Sequence, residues 1–549
     1  MGILRKALLA LFGAAILAGI FLPVYTDEVG WRLQERAGID GVDKMFGEQC
    51  GANTLARPPF FMMPVRAYSA FFNTAFADPF FVRVSGVLYA LAWCAMLLVL
   101  VRRIAGDPRE RGLLAMVGFG LMALGTMPLL LVWSRPEQPI VLAATAALLV
   151  AWTDWRDPAR TNTAGVAWGR SSALLALGVI ALSYHVKGIF LLPLFLACLF
   201  LASRGRAAHL PRALAGVLLA AATAVAARYW TQRLQCPDDP ILWAEYARNN
   251  MGTALTGAHG LGDLLAAVGK LIANISLPAY FRLPVPRPNP LSNWLEPGQI
   301  GAAAAAAWSV LLVALWSGAV LLAALCALST VRPALRERRI DPRMAIAAIL
   351  LVTVLGWSAT QAIRNVYEAS VALPLTMLAV LFALSGRASG EGPGNVLLGK
   401  ALKALAAVLG VAGIASLIAV AAIFGPSIAR ASRQSGYLAA QPVSLPVFGY
   451  GAQKPQILAA ARLCGIGDPR RARALMVDDL TYFTFMESQL PQHRLGVIGL
   501  WKGSLRDPIA YLRGRGSSGA VLGCHLLPPD LRARARQAGK FCCLGPPNW

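Results

Sequence analysis

The sequence predicts an all-α polytopic membrane protein with about eleven transmembrane helices, followed by a small α/β domain. Of its 549 residues, 57% are apolar and only 14% are charged, whereas a soluble domain has about 25% charged residues. Several apolar runs, such as 7–24 and 301–328, are long enough to cross a hydrocarbon layer of ~30 Å as helices. These runs are continuous in Ala, Leu and Val, whereas the strands of a membrane β-barrel would alternate in polarity. The membrane part is therefore expected to be helical.

The apolar runs give the transmembrane helices one by one. The first run follows Arg5 and Lys6, and we expect it to stay in the chain rather than to be removed as a signal peptide, because no small-residue cleavage pattern closes it. The predicted spans are 7–26, 82–101, 113–133, 139–153, 171–184, 188–203, 212–230, 300–328, 344–360, 369–385 and 398–424.

The position of the basic residues predicts the orientation of these helices. The formal net charge of +24 does not indicate nucleic acid, because the Lys and Arg residues lie mostly between the apolar runs. Six alternate connections carry twenty of them, whereas the short connections on the other side carry only Arg135, Lys187 and Arg364. By the positive-inside rule, the N-terminus is cytoplasmic and the other side is periplasmic. We expect a multi-pass protein of a bacterial inner membrane.

The chain divides into two predicted parts. Residues 1–424 form the transmembrane module, whose long outer loops are 27–81 and 231–299. Residues 425–549 lack long apolar runs and read as a soluble periplasmic domain. A helical stretch at 457–464 and strand-like stretches at 495–501 and 520–524 give this tail both element types.

The nine cysteines fall into two groups. Three lie in predicted helices, where a thiol behaves as a small apolar group: Cys94, Cys198 and Cys326. Six lie on the predicted outer side, where an oxidising space permits disulfides in fifteen pairings: Cys50, Cys236, Cys464, Cys524, Cys542 and Cys543. A bridge between Cys50 and Cys236 would join the two long loops, and the tail cysteines would pair among themselves. Their spacing is unlike that of a zinc site.

Polar residues collect at the predicted outer helix ends. Asp27 and Glu28 come directly after the first helix, and two carboxylates at a membrane face are costly unless they are solvated or functional. A polar helix end is the plainer explanation for each group taken alone. Three other outer turns carry the remaining candidates: Arg135 and Glu137, His185 and Lys187, and Arg364, Tyr367 and Glu368.

This set of residue types suits a phosphate-bearing substrate. Lys187, Arg135 and Arg364 could neutralise a lipid phosphate while a carboxylate activates a hydroxyl group. That chemistry is glycosyl transfer from a lipid-linked donor. Neither a phosphate-binding P-loop nor the glycine fingerprint of a dinucleotide fold occurs in the sequence.

With these residues in place, the pattern resembles the GT-C superfamily of glycosyltransferases that use polyprenyl-phosphate sugars, which includes protein mannosyltransferases and the lipid A aminoarabinose transferase. The resemblance rests on Asp27 and Glu28, on Arg135 and Glu137, and on the stretch 185–188. It implies an outer-face cavity, Asp27 as general base or metal-supporting acid, with Glu28 as the second candidate, and a polyprenyl-phosphate sugar donor. Family members differ in metal use, so a divalent metal ion stays optional. The tail does not match the family's periplasmic domains, so the acceptor, whether glycan, lipid or protein, is not carried over.

Other functions remain open from the sequence. A transporter or flippase for a lipid-linked glycan would place charges in mid-membrane, whereas here they collect at one face. An O-antigen ligase or polymerase would carry arginine and histidine in a large outer loop, and the early acidic pair argues against it. A receptor or scaffold built on the tail would bind glycan through the tail alone. The acidic pair Asp238 and Asp239 is a second, weaker source of a catalytic carboxylate.

Overall fold

The computed structural model is a helical bundle with two small sheets at one end. It describes residues 1–25, 28, 78–135, 137–153, 163–184, 186–202, 205–233, 265, 269, 302–337, 341–359, 366–386, 393–433, 436–438, 441–468, 471–472, 475–478, 480–485, 493–494, 508–514 and 516–546. The α-helices are α1 Gly2–Ala18, α2 Pro79–Ile104, α3 Pro108–Met122, α4 Met127–Leu131, α5 Glu137–Trp152, α6 Ala164–Tyr184, α7 Leu192–Ala202, α8 His209–Arg233, α9 Ala302–Glu337, α10 Pro342–Ala359, α11 Val366–Leu384, α12 Pro393–Ala431, α13 Tyr450–Leu463, α14 Pro508–Gly514 and α15 Pro529–Arg534. The strands are β1 Val24–Tyr25, β2 Gly436–Leu438, β3 Gln441–Leu445, β4 Met476–Val477, β5 His493–Arg494, β6 Ala520–Gly523, β7 Arg536–Ala538 and β8 Phe541–Leu544.

Each of the predicted spans overlaps a helix, although the span 7–26 ends in strand β1, and the polytopic all-α fold class of the membrane part is confirmed. Within the described residues, six helices are long and apolar enough to cross a membrane, and four shorter apolar helices lie among them. The predicted span 113–133 is broken into α3 and α4 by a turn that contains Gly125 with φ +63°. Because an L side chain rarely adopts this backbone conformation, glycine permits the break.

The bundle has two distinguishable ends. Helices α2, α5 and α11 run in the same direction, as side-chain contacts at matching depths show. Gln138 at the start of α5 donates to the carbonyl of Gly86 near the start of α2 at 3.0 Å, and Arg103 at the end of α2 donates to the carbonyl of Leu149 near the end of α5 at 2.7 Å. Trp152 and Phe382, in the last turns of α5 and α11, pack with ring centroids 5.0 Å apart. We call the end where these three helices begin the outer end and the opposite end, where α1, α3 and α12 begin, the inner end.

The tail carries a mixed sheet and a helix over a shared apolar core. Among the described strands the sheet order is β5-β4-β6-β8-β7, with β4 parallel to β5 and β6 and with β8 antiparallel to its neighbours. The predicted helix at 457–464 and strand at 520–524 are confirmed as α13 and β6, whereas 495–501 lies outside the described residues. The division of the chain at 424/425 stays a prediction, and α12 continues through Ala431.

The tail cysteines pair among themselves, as the sequence predicts. Cys464 is bonded to Cys543, and Cys524 is bonded to Cys542. The three helix cysteines form no disulfide within the described part of the chain, and Cys50 and Cys236 lie outside the described residues. Because successive side chains on a strand point to opposite faces, the adjacent Cys542 and Cys543 of β8 place one bridge on each face of the sheet.

The tail is joined to the membrane bundle by a strand pairing and an aromatic contact. Strand β1, which follows the first membrane helix, pairs antiparallel with β3 of the tail, Val24 opposite Leu445 and Tyr25 opposite Ser444. Phe448 of the tail packs between Phe21 and Phe80, with ring centroids 5.5 and 5.8 Å away. The tail therefore sits on the outer ends of α1 and α2.

Candidate functional site

The candidate site begins where the first membrane helix ends. Helix α1 is followed by the 3-10 helix Gly19–Phe21 and then by β1. Asp27 lies outside the described residues, whereas Glu28 is described and is fully buried. Of the two adjacent carboxylates that the sequence predicted, the structure therefore gives the surroundings of Glu28.

Both carboxylate oxygens of Glu28 accept hydrogen bonds. The backbone N–H of Ser134 donates to Oε1 at 2.7 Å, and Nη2 of Arg83 donates to Oε2 at 2.7 Å. Both partners of the ion pair are fully buried. A charge can stay buried in this way only when it is paired and hydrogen-bonded, so Glu28 is a structural anchor in this geometry.

Arg83 connects four segments of chain through its guanidinium group. Nε donates to the carbonyl of Leu22 at 2.8 Å, Nη1 to that of Val132 at 2.6 Å, and Nη2 to that of Pro23 at 2.8 Å, in addition to Glu28. The carbonyls at a helix end have no partner within their own helix and need one elsewhere. Arg83 donates the hydrogen bonds that these carbonyls need. Its side chain thereby ties the end of α1 to the start of α2 and to the loop after α4.

A glycine on α2 permits this close approach. A Cβ atom added at Gly86 would lie 2.0 Å from the carbonyl oxygen of Val132, which is far inside a van der Waals contact. The same contact region is held by a hydrogen bond of 2.8 Å between the hydroxyl groups of Ser85 and Ser134. The loop that carries Ser134 therefore lies directly against α2.

Arg135 and Glu137 form a buried bidentate ion pair next to this contact. Nε of Arg135 donates to Oε2 of Glu137 at 3.0 Å and Nη2 donates to Oε1 at 3.2 Å. The two side chains are 8% and 1% exposed. Glu137 is the first residue of α5, where the helix dipole favours a negative charge. Two parallel hydrogen bonds fix the plane of the guanidinium group.

These residues form one cluster, which we call the outer junction and define as Glu28, Arg83, Ser134, Arg135 and Glu137. The sequence predicted that Glu28, Arg135 and Glu137 share one face of the membrane, and the structure links all three through the adjacent residues Ser134 and Arg135. Arg83 is the member that the sequence interpretation missed. Its signal was a lone arginine inside the predicted span 82–101, because ionisable residues within transmembrane segments usually pair with one another or with backbone carbonyls.

The remaining predicted site residues lie on neighbouring elements. Lys187 is in the 3-10 helix Val186–Leu191, but its side chain is outside the described part, as is the whole of His185. A Cβ at Gly188 would lie 2.6 Å from the carbonyl oxygen of Ala181, so glycine allows this helix to pack on the end of α6. Phe190 contacts Trp357 near the end of α10, with ring centroids 6.3 Å apart.

Tyr367 and Glu368 lie in the first turn of α11, and Arg364 lies outside the described residues. The side chains of Tyr367 and Glu368 are also outside the described part. The rings of Trp152 on α5 and Phe382 on α11 are in contact, and the two helices run parallel. Glu137 lies as many residues before Trp152 as Tyr367 lies before Phe382. At ~1.5 Å of rise per residue, Tyr367 and Glu137 begin their helices at the same level. The start of α11 therefore belongs to the outer end of the bundle.

The same region can be described by its possible metal ligands. Within the described residues, no three His, Cys, Asp or Glu side chains are grouped so that they could hold a metal ion. The outer junction contains two ion pairs, Glu28 with Arg83 and Glu137 with Arg135.

No protein-family model matches this chain, and it has no match among curated proteins. Among solved structures, the chain is similar to the crystal structure of ArnT from Cupriavidus metallidurans bound to undecaprenyl phosphate. The two chains are 13% identical, and the alignment covers 98% of this chain and 97% of that chain, with a TM-score of 0.46.

Proposed function

We propose that this chain is an integral membrane glycosyltransferase of the GT-C type, which moves a sugar from a polyprenyl-phosphate donor to an acceptor at the outer face of a bacterial inner membrane. The acceptor class is a cell-envelope glycan, lipid or protein. The observation that carries the proposal is the fixation of the chain on both sides of Asp27. Tyr25 is paired with Ser444 of the tail, and Glu28 is held by Arg83 and Ser134.

In this proposal Asp27 is the general base and Glu28 is a positioning residue. A general base must come within hydrogen-bonding reach of the acceptor hydroxyl. Both oxygens of the fully buried Glu28 already accept hydrogen bonds from the protein. The neighbouring carboxylate, Asp27, is therefore assigned the catalytic role, while Glu28 keeps the segment in place.

The reaction is an inverting displacement. The acceptor oxygen attacks the anomeric carbon as Asp27 takes its proton, and the bond between that carbon and the phosphate oxygen breaks. Both electrons of the broken bond pass to the phosphate, so polyprenyl phosphate leaves with an added negative charge. Positioned cations lower the energy of such a developing charge. We assign this role to Arg135, Lys187 and Arg364.

The substrate-binding roles of His185, Tyr367, Glu137 and Glu368 are part of the same proposal. The bidentate ion pair between Glu137 and Arg135 supports this proposal, because it fixes the orientation of the Arg135 guanidinium group. The level of Tyr367 supports a site shared between the starts of α5 and α11. A divalent metal ion stays optional, and no step above passes through one.

The distribution of buried charge supports an enzyme over a transporter. Among the described membrane helices and their connections, the fully buried ionic side chains are Glu28, Arg83 and Glu110, with Glu137 and Arg135 nearly so. All five lie at or within the first two turns of a helix end. Transport pathways and proton relays place ionisable groups in mid-membrane, and the described helices carry none buried there.

The test of the base is the variant Asp27→Asn, with Glu28→Gln as its matched partner. Transfer is measured from a panel of polyprenyl-phosphate sugars to an extract of envelope glycans and lipids. Asp27→Asn should lower the rate ~100- to 10,000-fold, the usual effect of losing a general base, with normal expression and melting temperature. Glu28→Gln should lower the melting temperature instead, because it leaves Arg83 without its counter-charge. Near-normal transfer by folded Asp27→Asn would show that Asp27 is not the base, and Glu28, Glu137 and Glu368 would then be tested in its place.

The test of the cations is the binding of polyprenyl phosphate to folded protein. Single Ala variants of Arg135, Lys187 and Arg364 should each weaken binding about tenfold or more, because each removes a charged hydrogen bond. Arg102→Ala, an exposed arginine at the inner end of α2, is the control and should bind normally. Unchanged binding in all three variants would refute this assignment.

A further inference from the structure

A cavity of about 350 Å³ opens at the inner end of the bundle, far from the outer junction. Its walls come from α1, α3 and α12, which pack on one another. Its volume lies in the range of about 300–1,000 Å³ that is common for ligand sites. Nothing in the proposed glycosyl transfer uses this end of the molecule, so the cavity needs its own explanation.

Each of the three helices contributes one cation to the cavity: Arg5 from α1, Arg109 from α3 and Lys403 from α12. Among the described residues that line it, none is acidic. The nearby acid Asp107 accepts hydrogen bonds at 2.7 and 2.8 Å from the first backbone N–H groups of α3. The buried Glu110 accepts from the N–H groups of Gly106 and Gly386. Both carboxylates keep their charge but are held by backbone N–H donors, and neither lines the cavity. The ionic side chains that line it are therefore the three cations.

The rest of the cavity wall is apolar. Leu113 and Met116 of α3 line it and are buried against the bundle. Gly112 also lines the cavity, and a Cβ atom there would come within 2.7 Å of an Nη atom of Arg5. The glycine therefore gives the guanidinium group its place over α3. A ligand that fills this cavity must combine a negative charge with an apolar part.

The surface around the cavity favours a lipid over a soluble anion. Ile3 of α1 and Leu397 and Val408 of α12 are exposed apolar side chains on the helices that form the walls. In a membrane protein such side chains face acyl chains. The basic loops predict this end to be cytoplasmic, and basic pockets between transmembrane helices on that side bind the headgroups of anionic lipids.

We propose that the cavity is a binding site for an anionic phospholipid of the inner leaflet. Arg5, Arg109 and Lys403 meet the phosphate group, and Leu113 and Met116 contact the glycerol and the upper acyl chain. This site is independent of the proposed transferase activity, because it lies at the opposite end of the bundle.

The experiment compares two double variants that remove the same charge from neighbouring positions. Arg5→Gln with Lys403→Gln empties the cavity of two cations, whereas Lys6→Gln with Lys400→Gln removes exposed residues that do not line it. Purified full-length protein is titrated with phosphatidylglycerol and with phosphatidylcholine, and bound lipid is counted by native mass spectrometry. A cation near an anionic lipid contributes about fivefold in affinity, so the cavity variant should lose about 25-fold and the control should match wild type.

Three results would overturn the proposal: equal loss in both double variants, equal binding of the two lipids, or displacement of phosphatidylglycerol by inorganic phosphate at matched concentration. The first would indicate diffuse surface charge and the third a site for free phosphate. If the cavity double variant has a lower melting temperature than wild type in phosphatidylcholine, phosphatidylglycerol binding is measured on the single variant Arg109→Gln instead. Arg109 is exposed, so its loss should leave the fold intact and weaken phosphatidylglycerol binding about fivefold. Unchanged binding by Arg109→Gln would then count against the site.

Discussion

Arg83 is the residue on which the outer junction depends. An isolated buried guanidinium would be strongly unfavourable, and here one carboxylate and three carbonyl groups compensate it. Arginine suits this position because its five N–H donors form a planar fork, whereas lysine offers a compact point charge. The side chain therefore holds these four segments together and balances the charge of Glu28.

We expect Arg83→Met to lower the stability of the protein by about 3–5 kcal/mol, because it leaves the Glu28 charge buried without a partner. Arg83→Lys should restore only part of this, since it keeps the charge but not the fork. Melting in detergent, followed by near-UV circular dichroism, measures the effect. Arg102→Met, on the exposed face of the same helix, is the control and should stay within about 0.5 kcal/mol of wild type. Equal melting of Arg83→Met and Arg102→Met would show that the junction is dispensable.

His525 gives the tail a pH dependence. Burial lowers the pKa of its imidazole below the ordinary value, and the nearby charges of Arg532 and Lys540 lower it further. The folded state therefore binds a proton less readily than the unfolded state does. This stabilising contribution is complete above the unfolded pKa of ~6.5 and is lost as the pH falls through the lower folded value.

The melting temperature of the tail should thus fall more steeply below pH ~6.5 in wild type than in His525→Gln. The measurement is a series of melts between pH 7.5 and 5.5, monitored by a probe in the tail. His209→Gln changes an exposed histidine at the start of α8 and should keep the wild-type slope. Parallel slopes in all three proteins would contradict the role of His525.

The elements show where sequence analysis succeeds. Apolar length predicts the membrane helices because hydrocarbon excludes unpaired backbone groups and leaves few alternatives. The break between α3 and α4 could not be predicted from apolar length, because it depends on the backbone angle at Gly125 and not on polarity. Strand β1 was invisible as well, since it has two residues and its partner β3 lies in the tail.

The same contrast holds within the candidate site. Polar residues at outer helix ends predicted Glu28, Arg135 and Glu137, and these do lie in one cluster. Their pairing could not be predicted, because Arg83 and Ser134 join them through contacts between distant parts of the sequence. The assignments of Asp27, His185, Lys187 and Arg364 remain predictions.

The two tail disulfides should differ in their contribution to stability. Cys464–Cys543 closes a loop of 79 residues and Cys524–Cys542 one of 18. By the loop-entropy relation, opening the first costs about 4.5 kcal/mol and opening the second about 3 kcal/mol. Paired Cys→Ser variants of each bridge, melted without reductant, test this order.

Peptide mapping of the non-reduced protein is the control for these variants. It should recover the two bridges as separate cross-linked peptides once cleavage is made between the adjacent cysteines of β8. A cross-link between Cys464 and Cys524 would contradict the pairing.

The whole molecule is polarised between a basic inner end and an outer end that carries the tail. Arginines of the inner connections also bind the last carbonyls of helices: Arg103 donates to Leu149 at 2.7 Å and Arg170 to Ala202 at 2.6 Å. The disulfides lie in the tail on the other end, and such bonds persist in oxidising compartments. Both features agree with the predicted orientation.

We expect a reporter fused after Trp549 to be periplasmic and one fused in the connection between α2 and α3 to be cytoplasmic. Alkaline phosphatase activity and green fluorescence measure the two locations, because the first requires the periplasm and the second the cytoplasm. Fluorescence from the fusion after Trp549 would reverse the topology and remove the proposed outer active site.

The pairing of β1 with β3 has a consequence for how the protein is made. Val24 emerges from the ribosome early, and its partner Leu445 is synthesised only after the last membrane helix, α12. Contacts between such distant parts of a chain form late, because the intervening segment must first be ordered. The strand that precedes Asp27 therefore reaches its final position only after α12 and β3 have been made and, in the predicted topology, after the tail has crossed the membrane. If Asp27 is the base, as proposed, a nascent or truncated chain would lack a completed site, and activity would begin only once the whole protein is in place.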